Sequence, residues 1–291
     1  MPAARQMWEC VERYHQLCYW APEVRETGTA AGLKGFWMNY FATRAAPLGA
    51  VPATVVESLF FYYAPVRVRR AIPDAWALAA PGTVLAARYE AMDRALRREL
   101  GDLVGSDAVA RSAEIVRAAC EAADPTGRVL FAGWLALEWP DGPHLALWHG
   151  CTLLREYRSG CHLVALAAAG LDGCESVVSQ VAVDEAPREW IGKEAGWSEA
   201  EADAAIERLR QRGWLDADGR ATESGFAGRA QIESVTDRLD STHWAAIGDE
   251  AAGALLADMA PINALLPKDD QLDWRDLYPP NTTTSMPPRV N

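Results

Sequence analysis

The chain has 291 residues, half of them hydrophobic, enough to bury a sizeable core in one large domain or two ordinary ones. Its formal net charge of −12 argues against a nucleic-acid footprint spread over the whole surface, because neutralising phosphates dominates such binding. There is no apolar run of about 18 residues to cross a membrane and no apolar signal-peptide core near Met1, so a cytoplasmic location is expected.

In that compartment the six cysteines are expected to be thiols. No CxxC pair occurs among them, so a structural zinc site is not expected. The 12 tryptophans read either as a Trp-rich core or as walls of an apolar pocket.

Residues 5–20 read as a helix, with Met7, Trp8, Val11, Tyr14 and Cys18 at helical spacing. Pro22 and the segment 28–32 are expected to break it. Leu33, Phe36, Trp37, Tyr40 and Phe41 mark the apolar side of a second helix. Pro52 opens a third, which runs through FFYY to Ala64-Pro65. Arg67, Arg69 and Arg70 form the densest basic cluster. That cluster reads as a salt-bridged or solvated face, with a carboxylate or phosphate binder as the alternative. A long helix is expected at 83–99, and another from an N-cap at Ser106 to about Ala123. There is no internal repeat, no GxGxxG and no P-loop, and strand signals are nearly absent over the first 200 residues. A sheet-based nucleotide fold is therefore not expected.

The chain is organised around residues 144–180. Residues 144–159 are apolar almost all round, the pattern of a buried helix, so the ionic run Arg155, Glu156, Arg158 falls where charge is costly unless paired. Gly160 is expected to end this helix, with Cys161-His162 opening the next. Two readings stand side by side. In one, the arginines suit the helix dipole and Glu156 pairs with one of them or with another helix. In the other, Glu156, His149 and His162 line a cavity in which the arginines hold an anionic ligand.

Further on, Asp172-x-x-Glu175 and Ser198-x-x-Glu201 have the form of capping boxes. Residues 214–222 read as a small β-hairpin around Asp218-Gly219, and a long helix follows. The expected fold is mainly α: an N-terminal multi-helix domain (1–142), then a winged-helix-like module with a small β-hairpin wing and C-terminal helices (143–265). A Pro-rich mobile tail (266–291) ends the chain, with Trp274 and Tyr278 as candidates to pin its first part.

The segment RLRQRGWLDADGRATESGFAGRAQIESVTDRL resembles the recognition-helix, wing and exit-helix part of MarR-like winged-helix proteins, on Arg212-Gly213-Trp214-Leu215 and Ala221-Thr222-Glu223-Ser224-Gly225. Together with GLKGFWMNYFATRAAPLGAV, RAIPDAW and TLLREYRSGCH it is similar to an actinobacterial family whose members carry a helix-turn-helix label, over about residues 30–260. In that family's central R-E-H-R-G-D-G-H pattern, Arg155, Glu156, Arg158 and His162 match. Tyr157, Gly160 and Cys161 depart from it, which puts in doubt any shared chemistry using the replaced His or Asp.

The resemblance implies a DNA-binding fold, yet the first turns of the recognition helix carry Glu199, Glu201 and Asp203. Residues 184–240 hold 14 acidic and 8 basic side chains, a net −6. DNA is therefore an unfavoured partner. The first reading is a small-molecule binder, or an enzyme of specialised metabolism, with a Trp/Tyr-lined pocket between the helical domain and a winged helix not used for DNA. Glu156 or His162 would be general acid/base and Arg155, Arg158 and Arg44 anion clamps, with Tyr157, His149, Trp148, Tyr40 and Trp37 as further ligand contacts. Cys161 is a candidate nucleophile, because a helix start and a neighbouring His lower a thiol's pKa. Glu156→Gln is then expected to remove binding and leave the fold intact. The alternatives are a ligand-responsive dimeric regulator and a non-catalytic sequestering protein. His144, His149, His162 and Glu156 could supply metal ligands but match no strong metal spacing, and the sequence leaves the cofactor unknown.

Overall fold

A computed structural model describes residues 3–267. The expected tail, with Trp274 and Tyr278, falls almost wholly on residues 268–291, outside the described residues.

The chain is mainly helical, and its axis is α11 (Pro143–Ala168), a single helix of 26 residues. Pro143 sits in its first turn, where a missing N–H costs nothing, and the helix ends before Gly170, which takes φ 69°. Gly160 does not end it. A Cβ at Gly160 would meet Arg128 Cγ at 2.9 Å, so glycine is there to let the Arg128 segment approach. Two expectations are corrected together. The helix is not split at Gly160, and Cys161 lies in the interior of a helix rather than at its start.

Among the described residues ten α-helices come before α11, with short 3-10 turns at Ala46–Leu48 and Gly101–Gly105. They are α1 (Ala4–His15), α2 (Leu17–Trp20), α3 (Pro22–Ala30), α4 (Gly35–Ala45) and α5 (Ala53–Leu59), then α6 (Pro65–Arg69), α7 (Asp74–Leu78), α8 (Pro81–Leu100), α9 (Asp107–Ala122) and α10 (Val129–Leu135). The expected break at Pro22 is present: Ala21 is extended, with ψ 132°, and ends α2, and Pro22 takes a first-turn position of the new helix α3. Gly28 within it packs directly on the Asn39 side chain. The third expected helix is shorter than its apolar run: α5 stops at Leu59, which leaves Phe60, Phe61, Tyr62 and Tyr63 in a turn. In the basic cluster, Arg69 is paired with Glu57 and Arg67 donates to the Gly192 and Lys193 carbonyls.

After α11 come α12 (Gly173–Ala182), a short π-helical turn at Trp190–Glu194, α13 (Glu199–Gln211), α14 (Glu223–Asp240) and α15 (Thr242–Leu265). Both expected capping boxes form, at Asp172/Glu175 and Ser198/Glu201. α15 breaks at Gly248, whose φ of 85° and ψ of 167° are non-helical.

The β-hairpin wing is not formed: among the described residues there is one isolated bridge, Leu215 with Ala221, and no strand. The Asp216 carboxylate accepts from the backbone N–H groups of Asp218 and Arg220, both at 2.9 Å. That turn closes the loop so tightly that Thr222 is already capping α14, and no residues are left to extend a ladder.

The largest core cluster joins α1, α8, α9, α10, α11 and α15, with Trp134, Trp148, Tyr157 and Trp244 at its centre. A second lies under α4, α5, α6 and α7. A third joins the C-terminal end of α11 to α12, α13 and α14. α11 therefore contributes to the first and third clusters, and its ionic run lies along the part that belongs to the first. Among the described residues no single helix is long and apolar enough to cross a membrane.

Candidate functional site

The site is a cavity of about 640 Å³ along one face of α11. Arg155, Arg158, Ser159, His162 and Leu163 of α11 form one wall, and Arg5, Trp8 and Glu12 of α1 form another. Tyr40 and Arg44 of α4 face them, with Leu59, Phe60, Tyr62 and Tyr63 from the end of α5 and the turn after it. Gln180, the segment at Glu185, Ala186 and Pro187, Trp190 and Glu233 of α14 close the far side. The opening thus lies between the N-terminal helices and the segment from α12 to α14.

Its charge is organised by Glu156, whose side chain is fully buried. Arg44 donates to it twice, from Nε to Oε1 at 2.9 Å and from Nη2 to Oε2 at 2.8 Å. Arg155 adds a third contact to Oε2 at 3.2 Å. Burial alone would push the carboxyl up, but Arg44 and Arg155 outweigh it and hold Glu156 down at about 2. Such a carboxylate has its accepting capacity spent on guanidinium groups and is a poor proton carrier near neutral pH. Arg158 is similarly engaged: Nη2 donates to Asp237 at 2.7 Å and Nη1 to Asp240 at 3.1 Å, and its guanidinium lies 5.1 Å from the Trp8 ring centre. Arg5 is bonded to Glu233. The lining arginines are thus largely compensated by protein carboxylates before any ligand arrives.

His162 sits at the α14 end. Thr236 spends its one hydroxyl proton on the Ile232 carbonyl at 2.8 Å, so at the 2.9 Å contact with His162 its oxygen accepts and Nδ1 carries the proton. Nε2 is then the acceptor nitrogen. Burial, with Arg229 and Arg158 nearby, lowers His162 to about 3, so the ring is neutral. Its face lies 6.1 Å from Tyr62, which in turn meets Trp190 at 6.0 Å.

Of the residues singled out from sequence, Arg44, Arg155, Arg158, His162 and Tyr40 line the cavity, and Glu156 stands directly behind Arg44 and Arg155. Trp37 packs against Tyr40 with ring centres 5.8 Å apart, outside the lining. Four others point elsewhere. Trp148 is in the core between Tyr89 and Trp134. His149 accepts from or donates to Tyr89 at 2.7 Å and meets Trp139 edge-on. Tyr157 packs on Phe131 and His243. Cys161 accepts from Arg128 at 3.4 Å, and burial pushes its thiol up to about 11, the opposite of an activated nucleophile. His149 and Glu156, seven positions apart, do share a face of one continuous helix, but the two turns between them, about 10 Å of rise, bring them to different neighbours, Tyr89 for one and Arg44 for the other.

Sequence reasoning missed Trp8, Phe60, Tyr62, Tyr63 and Trp190. The run FFYY held the signal: four consecutive aromatics cannot all face one side of a helix, which favours a turn that distributes them. Among the described residues no cluster of His, Cys, Asp or Glu suits a metal ion.

No curated protein and no solved structure matches this chain. A family model described as "Helix-turn-helix family" matches residues 4–272, nearly the whole chain, and so the protein belongs to that helix-turn-helix family.

Proposed function

We propose that this member of the family binds a small organic molecule in the cavity on α11, and that its winged-helix-like segment serves packing rather than DNA reading. The observation that carries the reading is the cavity itself. Its volume of about 640 Å³ falls in the range of ligand sites, and it sits at a junction of helical groups where such sites are common. Its walls combine aromatic rings with charged groups held in fixed ion pairs. The enzyme version of this reading would rest on His162, whose neutral ring offers a lone pair, rather than on Glu156.

Two features weigh against DNA. Glu199 and Glu201 occupy the first turn of α13, where a recognition helix would meet bases. The arginines of α13 and its C-cap are also engaged: Arg208 with Asp172 and Glu175, Arg210 with the Asp216 and Ala217 carbonyls, and the C-cap Arg212 with the Ala169 and Gly170 carbonyls.

The second reading, a MarR-like dimeric regulator that responds to the same ligand, is favoured by family membership and by the order of α12, α13 and α14. Titration with 1-anilinonaphthalene-8-sulfonate is expected to show one saturable site per chain, removed by Ser159→Trp, which fills the cavity. A non-saturating signal, or one indifferent to Ser159→Trp, would contradict the first reading. Retention of randomised duplex DNA at low salt, weakening steeply as salt rises, would favour the second.

A further inference from the structure

The tyrosines at the α4 end of the cavity leave one hydroxyl proton unspent, and that proton narrows the class of ligand. Tyr40 and Tyr63 both line the cavity, with their oxygens 3.1 Å apart. Arg44 donates from Nη1 to the Tyr40 oxygen at 2.5 Å, while its Nε and Nη2 donate to Glu156, so the guanidinium is held in place. Each phenol carries one proton. The pair uses one of its two protons between the hydroxyls, whichever of them donates. Neither hydroxyl makes another hydrogen bond within the described residues. One O–H therefore remains, polarised by the neighbouring hydroxyl and by the Arg44 cation. Among the other cationic groups of the lining, Arg155 is engaged by Glu156 and lies 3.7 Å from Glu12. Arg158 and Arg5 are committed to carboxylates. His162 presents an acceptor and so repels an oxygen lone pair. The walls between the two ends are rings: Phe60, Tyr62, Trp190 and Trp8.

We propose that the ligand is an aromatic compound carrying a carbonyl or phenolate oxygen, seated with that oxygen on the Tyr40–Tyr63 O–H. This rests on the cavity being a small-molecule site. The buried Arg44–Glu156 pair is then a support that polarises the tyrosine hydroxyls rather than a clamp that touches ligand, which explains why its charges are compensated within the protein.

The test compares 4-nitrophenolate with 4-nitrotoluene, which matches its ring and size but lacks the oxygen, by equilibrium dialysis at alkaline pH. Wild type is expected to hold the phenolate about tenfold or more tighter, the effect of one hydrogen bond to a charged acceptor. The near-isosteric double substitution Tyr40→Phe and Tyr63→Phe is expected to erase that preference by weakening the phenolate alone, with 4-nitrotoluene, which has no phenolate oxygen to place there, bound as by wild type and the urea midpoint retained. An unchanged preference in the double variant, or no preference in wild type while 1-anilinonaphthalene-8-sulfonate still binds, overturns the proposal and leaves the cavity reading standing. Failure of wild type to bind any of the three compounds overturns both.

Discussion

Glu156→Gln is expected to lower the unfolding free energy by about 3–5 kcal/mol, the usual cost of breaking a buried ion pair from one side. The substitution keeps shape and removes charge. It leaves the Arg44 guanidinium, 5 % exposed, and its neighbour Arg155 facing each other with the carboxylate between them gone. Urea unfolding checks the value, and a loss under about 1 kcal/mol would mean that water replaces the carboxylate. The same pair predicts acid sensitivity. Glu156 is held at about 2 in the folded protein against roughly 4.3 in an unfolded chain. Its contribution is therefore complete above that unfolded value and lost as pH falls through about 2. The amount is on the order of 3 kcal/mol. Wild type should lose stability across that window more steeply than Glu156→Gln. This reverses the expectation drawn from sequence, in which the variant loses binding and keeps its fold.

Trp148→Ala is expected to cost a similar amount, about 3–5 kcal/mol. The side chain is fully buried and stands where α1, α8, α10 and α11 meet. Its ring is edge-on to Tyr89 at 5.5 Å and to Trp134 at 6.3 Å, and Nε1 donates to the His15 carbonyl at 3.3 Å. Arg88 lies 5.2 Å from the ring centre. Truncation removes contacts from four helices at once, and they cannot all close the gap. A shift in the urea midpoint with an unchanged slope is the expected signature. A loss below about 1 kcal/mol would mean the site collapses freely.

The helical class, most helix positions and the two capping boxes were legible because they depend on local spacing and on residues three apart. The importance of residues 144–180 was legible too, since an all-round apolar helix with charges in it must be buried. What was not legible depended on a partner distant in sequence. Gly160 reads as a terminator until Arg128 is seen against it. That Glu156 is paired was one of two readings of its run, but its main partner, Arg44, is 112 positions away and nothing local points to it. Trp148, Tyr157 and Cys161 read as pocket residues because periodicity tells which side of a helix is apolar, not which apolar neighbour each side meets. The hairpin reading failed on length: the turn around Asp218-Gly219 is real, but Thr222 begins the next helix before a second bridge can form.

The central claim is that the cavity on α11 holds a small molecule, and a native mass spectrum of freshly purified wild type beside Ser159→Trp tests it most directly. The account predicts an added organic mass on wild type that denaturing conditions release and that the filled-cavity variant lacks. Bare chains in both samples, or the same added mass in both, would contradict it.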